Sequence, residues 1–111
     1  MSWTSKLADT KSQVGKLNAA LPETTKAFAQ LGATVKTSDQ VPFKTKEFVA
    51  LGIAVATKCE ACIMFHIEAL VRLQASREEI AEVLAMTLQM GGGPSMMYAA
   101  KALNCFDALS G

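Results

Sequence analysis

The chain of 111 residues is long enough for one compact domain, and its 11 basic and 10 acidic side chains leave a net charge of +1. This balance, without a basic patch interleaved with aromatic residues, argues against nucleic acid as a partner. Half of the residues are apolar and only 19% are charged, so we expect part of the apolar surface of so short a chain to be buried against other copies.

The first two predicted helices cover residues 3–35. Residues in alternating four- and three-residue steps predict a narrow helical seam in the first helix, formed by Trp3, Leu7, Val14, Leu17 and Leu21, with Thr10 filling one place. Pro22 suits the first turn of a second helix, which would carry Phe28, Leu31 and Val35 on one side. Residues 36–43 contain Ser, Asp and Pro and are predicted to form a loop.

A third helix is predicted to begin near Lys44. Residues 48–56 are apolar on every side, which predicts a central and buried helix. A strand is the alternative, because Ile53 and Val55 are β-branched and Gly52 weakens a helix. The length of the run and its frequent alanines favour the helix.

The rest of the chain is predicted to be helical as well. Cys59 and Cys62 open or interrupt a fourth helix, whose apolar positions are Met64, Ile67, Leu70, Val71 and Leu73. Ser76 and Glu79 form a capping-box pattern at the start of a fifth helix, three glycines end it, and Pro94 fits the first turn of a sixth. We therefore predict an all-α bundle of about six helices in a single domain, residues 1–111.

The chain is predicted to lie in the cytoplasm and not in a membrane. Lys6, Asp9 and Lys11 interrupt the N-terminal region where a signal peptide would need an apolar core. The longest uncharged stretch, residues 83–100, is broken by a glycine-rich segment before Pro94, which argues against a membrane span. In the cytosol, closely spaced thiols are more often catalytic or metal-binding than structural.

The strongest functional signal is a pair of cysteines followed by the only histidine. Cys59 and Cys62 are three residues apart, and His66 follows four residues later. On a helix these positions share one face. A thiolate is the reactive form of cysteine, and a helix N-terminus lowers the thiol pKa. The imidazole of His66 is placed to accept the proton of Cys62, and Cys59 is close enough to form a reversible disulfide with an oxidised Cys62.

Glu47 is the second candidate. It is the only acidic residue between Asp39 and Glu60, and it lies near the start of the apolar third helix. A carboxylate beside such a run is costly to bury unless it has partners. If Glu47 faces inward it could exchange protons with a thiol or an imidazole; the alternative is a solvated acid in the first turn, which the helix dipole favours.

These residues resemble the carboxymuconolactone decarboxylase and alkylhydroperoxidase D superfamily. The matching residues are Glu47, the segment 59–63, His66 and Ala69, with further matches at 76–80 and at the glycine-rich segment 90–94. The resemblance covers residues 20–109. With 111 residues the chain resembles the family members that contain a single repeat. It differs from some peroxidase members between the two cysteines, where Ala61 stands in place of an additional histidine.

The resemblance implies an all-α fold that assembles into trimers or hexamers. It implies a peroxidase or disulfide reductase in which Cys62 is oxidised to a sulfenic acid and Cys59 is the resolving thiol and proton donor. His66 and Glu47 would form the proton relay. The substrate would be a small hydroperoxide or disulfide, the electron donor a dihydrolipoyl group or another thiol, and no cofactor is implied.

Three other functions compete with this prediction, and one of them, a non-catalytic assembly module, is suggested only by the apolar excess. Cys59, Cys62 and His66, together with Glu47, could supply the ligands of a zinc site. The chain could instead be a lactone decarboxylase that uses His66 or Glu47 as acid or base, with the thiols incidental and with Lys58 or Arg72 anchoring a substrate carboxylate. Cys105 has no partner by spacing and is predicted to be a small apolar residue of the last helix.

Overall fold

The computed structural model describes residues 2–111, and all of its regular secondary structure is helical. The helices are α1 (Trp3–Ala20), α2 (Pro22–Thr37), α3 (Phe43–Ala56), α4 (Glu60–Arg72) and α5 (Arg77–Ser110). The all-α prediction is confirmed, although the described residues form five helices where about six were expected. The strand alternative for residues 48–56 is wrong, because this segment lies within α3.

The core lies between α3, α4 and α5, which pack against one another. Its large and fully buried side chains come from all three helices and are Leu51, Val55, Ile63, Ile67, Leu70, Ile80 and Cys105. The amphipathic pattern of α4 buries one face against α3 and α5. These contacts hold the start of α4 in place, which is the segment that carries both predicted cysteines.

The last two predicted helices form one long element with a break at Gly92. This glycine has φ 69° and ψ −149°, a backbone conformation essentially restricted to glycine. At Gly91 an added Cβ would collide with the side chain of Ser95 in the following turn. Gly92 therefore interrupts the helical backbone of α5, so that two helical segments meet at a kink there, and Pro94 follows two residues later near the start of the second segment.

The capping box at the start of α5 is present. The Ser76 hydroxyl accepts a hydrogen bond from the backbone N–H of Glu79 at 3.0 Å. In return the Glu79 carboxylate accepts from the backbone N–H of Ser76 at 2.8 Å. Two otherwise unpaired N–H groups are thus satisfied at this helix start.

Apolar side chains are left uncovered on two surfaces. Helix α2 buries none of its residues, and its predicted apolar side is exposed at Phe28, Leu31 and Val35. In α1 only Leu7 is buried, and the seam beyond it is exposed.

The prediction that residues 48–56 are buried on every side is wrong for one face, because Val49 and Ile53 are 57% and 58% exposed. That face of α3 borders an open groove against α5 of about 660 Å³.

Candidate functional site

The turn between α3 and α4 places Cys59 at the beginning of α4. Lys58 adopts a left-handed conformation with φ 57°, and its N–H donates to the carbonyl of Val55 at 3.1 Å. The N–H of Cys59 donates to the carbonyl of Ala54 at 3.0 Å. These two bonds form a Schellman motif that ends α3 and turns the chain into α4. Sequence reasoning missed this turn because Lys58 is not a glycine.

Cys59 and Cys62 are joined by a disulfide across the first turn of α4, with their Cα atoms 5.2 Å apart. Cys59 is the N-cap residue, and its Sγ accepts a hydrogen bond from the backbone N–H of Cys62 at 3.2 Å. Both residues are half-buried. When the bridge opens, a thiolate at Cys59 is therefore stabilised by that N–H and by the helix dipole.

Glu47 of α3 and His66, four residues beyond Cys62 in α4, form a hydrogen-bonded pair. The carboxylate Oε2 of Glu47 lies 2.7 Å from Nδ1 of His66. The Glu47 side chain is only 4% exposed, whereas that of His66 is 33% exposed. The inward-facing prediction for Glu47 agrees with this geometry, and the solvated alternative is wrong. With Nδ1 engaged by the carboxylate, Nε2 of His66 is the nitrogen available for proton exchange.

His66 follows Cys62 by one helical turn, and Glu47 reaches it from the neighbouring helix α3. The structure thus pairs Glu47 with His66 and Cys59 with Cys62, and the second pair precedes His66 by one turn of α4. Residues three and four apart on a helix share a face, so Cys62 and His66 belong to the same side of α4. An imidazole oriented by a buried carboxylate is suited to accept and return a proton near a thiol.

Glu60 is a charged residue of this site that sequence reasoning did not single out. It stands between the two cysteines, and its carboxylate lies 3.4 Å from Nζ of Lys6 and 3.2 Å from Nζ of Lys101. Burial raises the pKa of Glu60, but the hydrogen bonds from Lys101 and Lys6 outweigh it and lower the pKa overall. No local sequence signal marks these partners, because they lie 54 and 41 residues away along the chain.

Cys105 is buried within α5, as expected for a small apolar residue. Burial raises the pKa of its thiol to about 11, and the negative charge of Glu60 acts in the same direction. At neutral pH the Cys105 thiol is therefore protonated and unreactive.

The zinc alternative is not favoured by the donor geometry. Both sulfurs are joined to each other, and within residues 2–111 no three His, Cys, Asp or Glu side chains are grouped so as to hold a metal ion. A four-ligand zinc site would need the two sulfurs free and the carboxylate released from the imidazole.

The two proposed anchors for a substrate carboxylate lie far apart. Arg72 is the last residue of α4, about 18 Å along the helix from its first residue. Its guanidinium is paired with Glu68 at 3.3 Å. Lys58 directly precedes Cys59 and lines the groove between α3 and α5. Arg72 is thereby separated from the cysteines, and only Lys58 remains near them.

Comparison with known proteins places these residues in a described family. The model of the carboxymuconolactone decarboxylase family matches residues 22–104. An uncharacterised protein of Cupriavidus necator is 40% identical over 105 residues, which are 95% of this chain and 93% of that protein. An uncharacterised protein of the cox locus of Paracoccus denitrificans is 31% identical over 103 residues, covering 86% of this chain and 93% of its own.

Two solved structures share the fold. A carboxymuconolactone decarboxylase family protein from Legionella pneumophila, solved in its apo form, superimposes with a TM-score of 0.94 at 41% identity, over 98% of this chain and 97% of its own. A family member from Thermotoga maritima, described as "possibly involved in antioxidative response", superimposes with a TM-score of 0.82 at 27% identity, over 94% of this chain and 89% of its own. Among residues 2–111, no helix combines the length and apolar character needed to cross a bilayer.

Proposed function

The chain belongs to the carboxymuconolactone decarboxylase family, and on that premise we propose that it is a thiol-dependent oxidoreductase. It cycles Cys59 and Cys62 between dithiol and disulfide, and its substrate is a small hydroperoxide or disulfide. One observation carries the proposal: two bonded sulfurs begin α4, and an imidazole held by a buried carboxylate follows one turn later. The antioxidative response named for the Thermotoga maritima relative is consistent with this chemistry.

The first step oxidises Cys62. His66 takes the proton of the Cys62 thiol through Nε2, while Glu47 stabilises the imidazolium through Nδ1. The thiolate attacks the terminal oxygen of the hydroperoxide, so an S–O bond forms and the O–O bond breaks. The leaving alkoxide takes the proton back from His66 and departs as an alcohol, which leaves Cys62 as a sulfenic acid.

The second step closes the bridge. The sulfur of Cys59 attacks the sulfur of Cys62, an S–S bond forms, and the S–O bond breaks. The hydroxide that leaves takes the proton of Cys59 and becomes water. The short distance between the Cα atoms, 5.2 Å, allows this bond within one helical turn.

The third step requires a dithiol donor, such as a dihydrolipoyl group. One donor thiolate attacks Cys62, because the thiolate that leaves from Cys59 is then stabilised by the N–H of Cys62 and the start of α4. The second donor thiol attacks the mixed disulfide and releases Cys62. The donor becomes a disulfide, and the two electrons and two protons that it loses restore both cysteines.

Counting thiols tests the proposal. We expect the fully reduced protein, with its three cysteines, to lose two thiols on addition of one equivalent of tert-butyl hydroperoxide. Peptide mass spectrometry should then find Cys59 bridged to Cys62, and the Cys105→Ser variant should lose the same two thiols. If both Cys59 and Cys62 survive the oxidant, the proposed function is wrong.

We also propose that copies of the chain associate through the exposed apolar surfaces of α2 and of the groove. A helix of 16 residues that buries none of its side chains is marginally stable in water unless its apolar side is covered. Sedimentation velocity at micromolar concentration should show species larger than 11.8 kDa. Phe28→Asp should shift them toward the monomer, whereas Gln30→Asp on the same helix should not. A monomeric parent protein would contradict the proposal.

A further inference from the structure

The charge cluster around Glu60 connects the redox segment to two distant helices. Glu60 is the first residue of α4, and its carboxylate lies between Lys6 of α1 and Lys101 of α5. Nζ of Lys6 also lies 4.7 Å from the centre of the Trp3 ring, and Nζ of Lys101 lies 6.0 Å from that of Tyr98. One carboxylate and two ammonium groups are thus held beside the turn in which a thiolate forms on reduction.

We infer that Glu60, held between Lys6 and Lys101, is a positioning residue that sets the reduction potential of the Cys59–Cys62 pair. The inference rests on the proposed function, since it requires that this disulfide be opened and closed. Reduction adds two electrons to the S–S bond and releases Cys59 as a thiolate, which takes up a proton to an extent that its pKa decides, while Cys62 becomes a thiol. Charges close to the thiolate change how favourable that product is, and Glu60 directly follows Cys59 in the chain.

The sign of the effect follows from the charges. The Glu60 carboxylate disfavours a neighbouring thiolate, and the two lysines oppose it. The Glu60→Gln substitution removes the negative charge and leaves both lysines, so the thiolate and the reduced form are stabilised. The Lys101→Met substitution removes one positive charge and leaves more of the negative charge of Glu60 uncompensated. The thiolate, and with it the reduced form, is then destabilised.

A structural role would give a different result. Both substitutions break the same contact between Glu60 and Lys101, so loss of packing or of an ion pair would change both variants in the same direction. Surface ion pairs of this kind contribute little to stability, and side chains of Glu60 and Lys101 are 33% and 43% exposed. Opposite shifts of the reduction potential are therefore specific to the electrostatic role.

The test is the equilibrium of the full-length protein with glutathione buffers of known ratio, read by thiol alkylation and mass. We expect the equilibrium constant for reduction to rise about three- to tenfold in Glu60→Gln and to fall by a similar factor in Lys101→Met. Lys6→Met should change it in the same direction as Lys101→Met.

The matched control is Glu68→Gln. Glu68 lies on the same helix and is also paired, with Lys11 at 2.6 Å and with Arg72, but it stands two turns beyond the cysteines. Its substitution should leave the equilibrium constant unchanged. Far-UV circular dichroism of each variant establishes that α4 is intact.

The outcomes separate this inference from the proposed function. Equal constants for Glu60→Gln and the parent protein, or shifts of the same sign in Glu60→Gln and Lys101→Met, overturn the inference even if the parent protein reduces hydroperoxides. If the two variants shift the constant in opposite directions but the parent protein reduces no hydroperoxide, the inference is supported and the peroxidase reaction is refuted. A bridge that no glutathione buffer opens overturns both.

Discussion

A Cys62→Ser variant is expected to lose hydroperoxide reduction, with the rate falling by about 10³-fold or more, to that of the uncatalysed reaction. A serine hydroxyl is not ionised at neutral pH and cannot form a sulfenic acid, so the first step is removed. The measurement is consumption of tert-butyl hydroperoxide in the presence of a dithiol such as dihydrolipoamide. Turnover that survives this substitution would exclude Cys62 as the attacking thiol.

The Cys59→Ser variant should behave differently, because it removes only the second step. One equivalent of hydroperoxide is still reduced, and Cys62 is then left as a sulfenic acid that a dimedone probe labels. The parent protein should not be labelled, since Cys59 resolves the sulfenic acid first. The Cys105→Ser variant is the control for both experiments: its thiol is buried and its pKa is raised to about 11, so its loss should not change turnover.

Replacing Glu47 by glutamine is expected to slow turnover by about 10²-fold, because the neutral amide cannot stabilise the imidazolium that forms on His66. The 2.7 Å contact between Oε2 and Nδ1 is the geometric basis of this expectation. Glutamine keeps the size of the side chain, so the fold should be retained. The measurement is the steady-state rate with saturating donor, together with urea unfolding of the oxidised protein.

A double variant decides whether Glu47 and His66 act as one unit. If they do, the double variant Glu47→Gln with His66→Asn should be no slower than the slower single variant.

Glu47→Ala should in addition lower the free energy of unfolding by about 1–3 kcal/mol, since it leaves a polar group near the core without its partner. The exposed carboxylate of Glu78 is the control, and its change to glutamine should affect neither quantity. If Glu47→Gln turned over at the rate of the parent protein, Glu47 would contribute to packing and not to catalysis.

Much of the secondary structure could be predicted because it depends on neighbours in the chain. Apolar spacing predicted α1 to α4, and the capping box at Ser76 predicted the start of α5. The glycine-rich segment was predicted to end one helix before Pro94, and the non-helical conformation of Gly92 does interrupt α5 there, although the two segments meet at a kink without a connecting loop. The left-handed turn at Lys58 was not anticipated, because lysine carries no signal for that conformation.

By itself the sequence determined that the protein is helical, that two thiols share a helical turn, and that one imidazole follows them, since these properties depend on spacings of three and four residues. Only the tertiary structure decided that Glu47 faces His66, that Lys6 and Lys101 meet at Glu60, and that one face of α3 and all of α2 stay uncovered. Those contacts join residues 19 to 54 positions apart, and they depend on how the helices pack and not on the periodicity of any one of them.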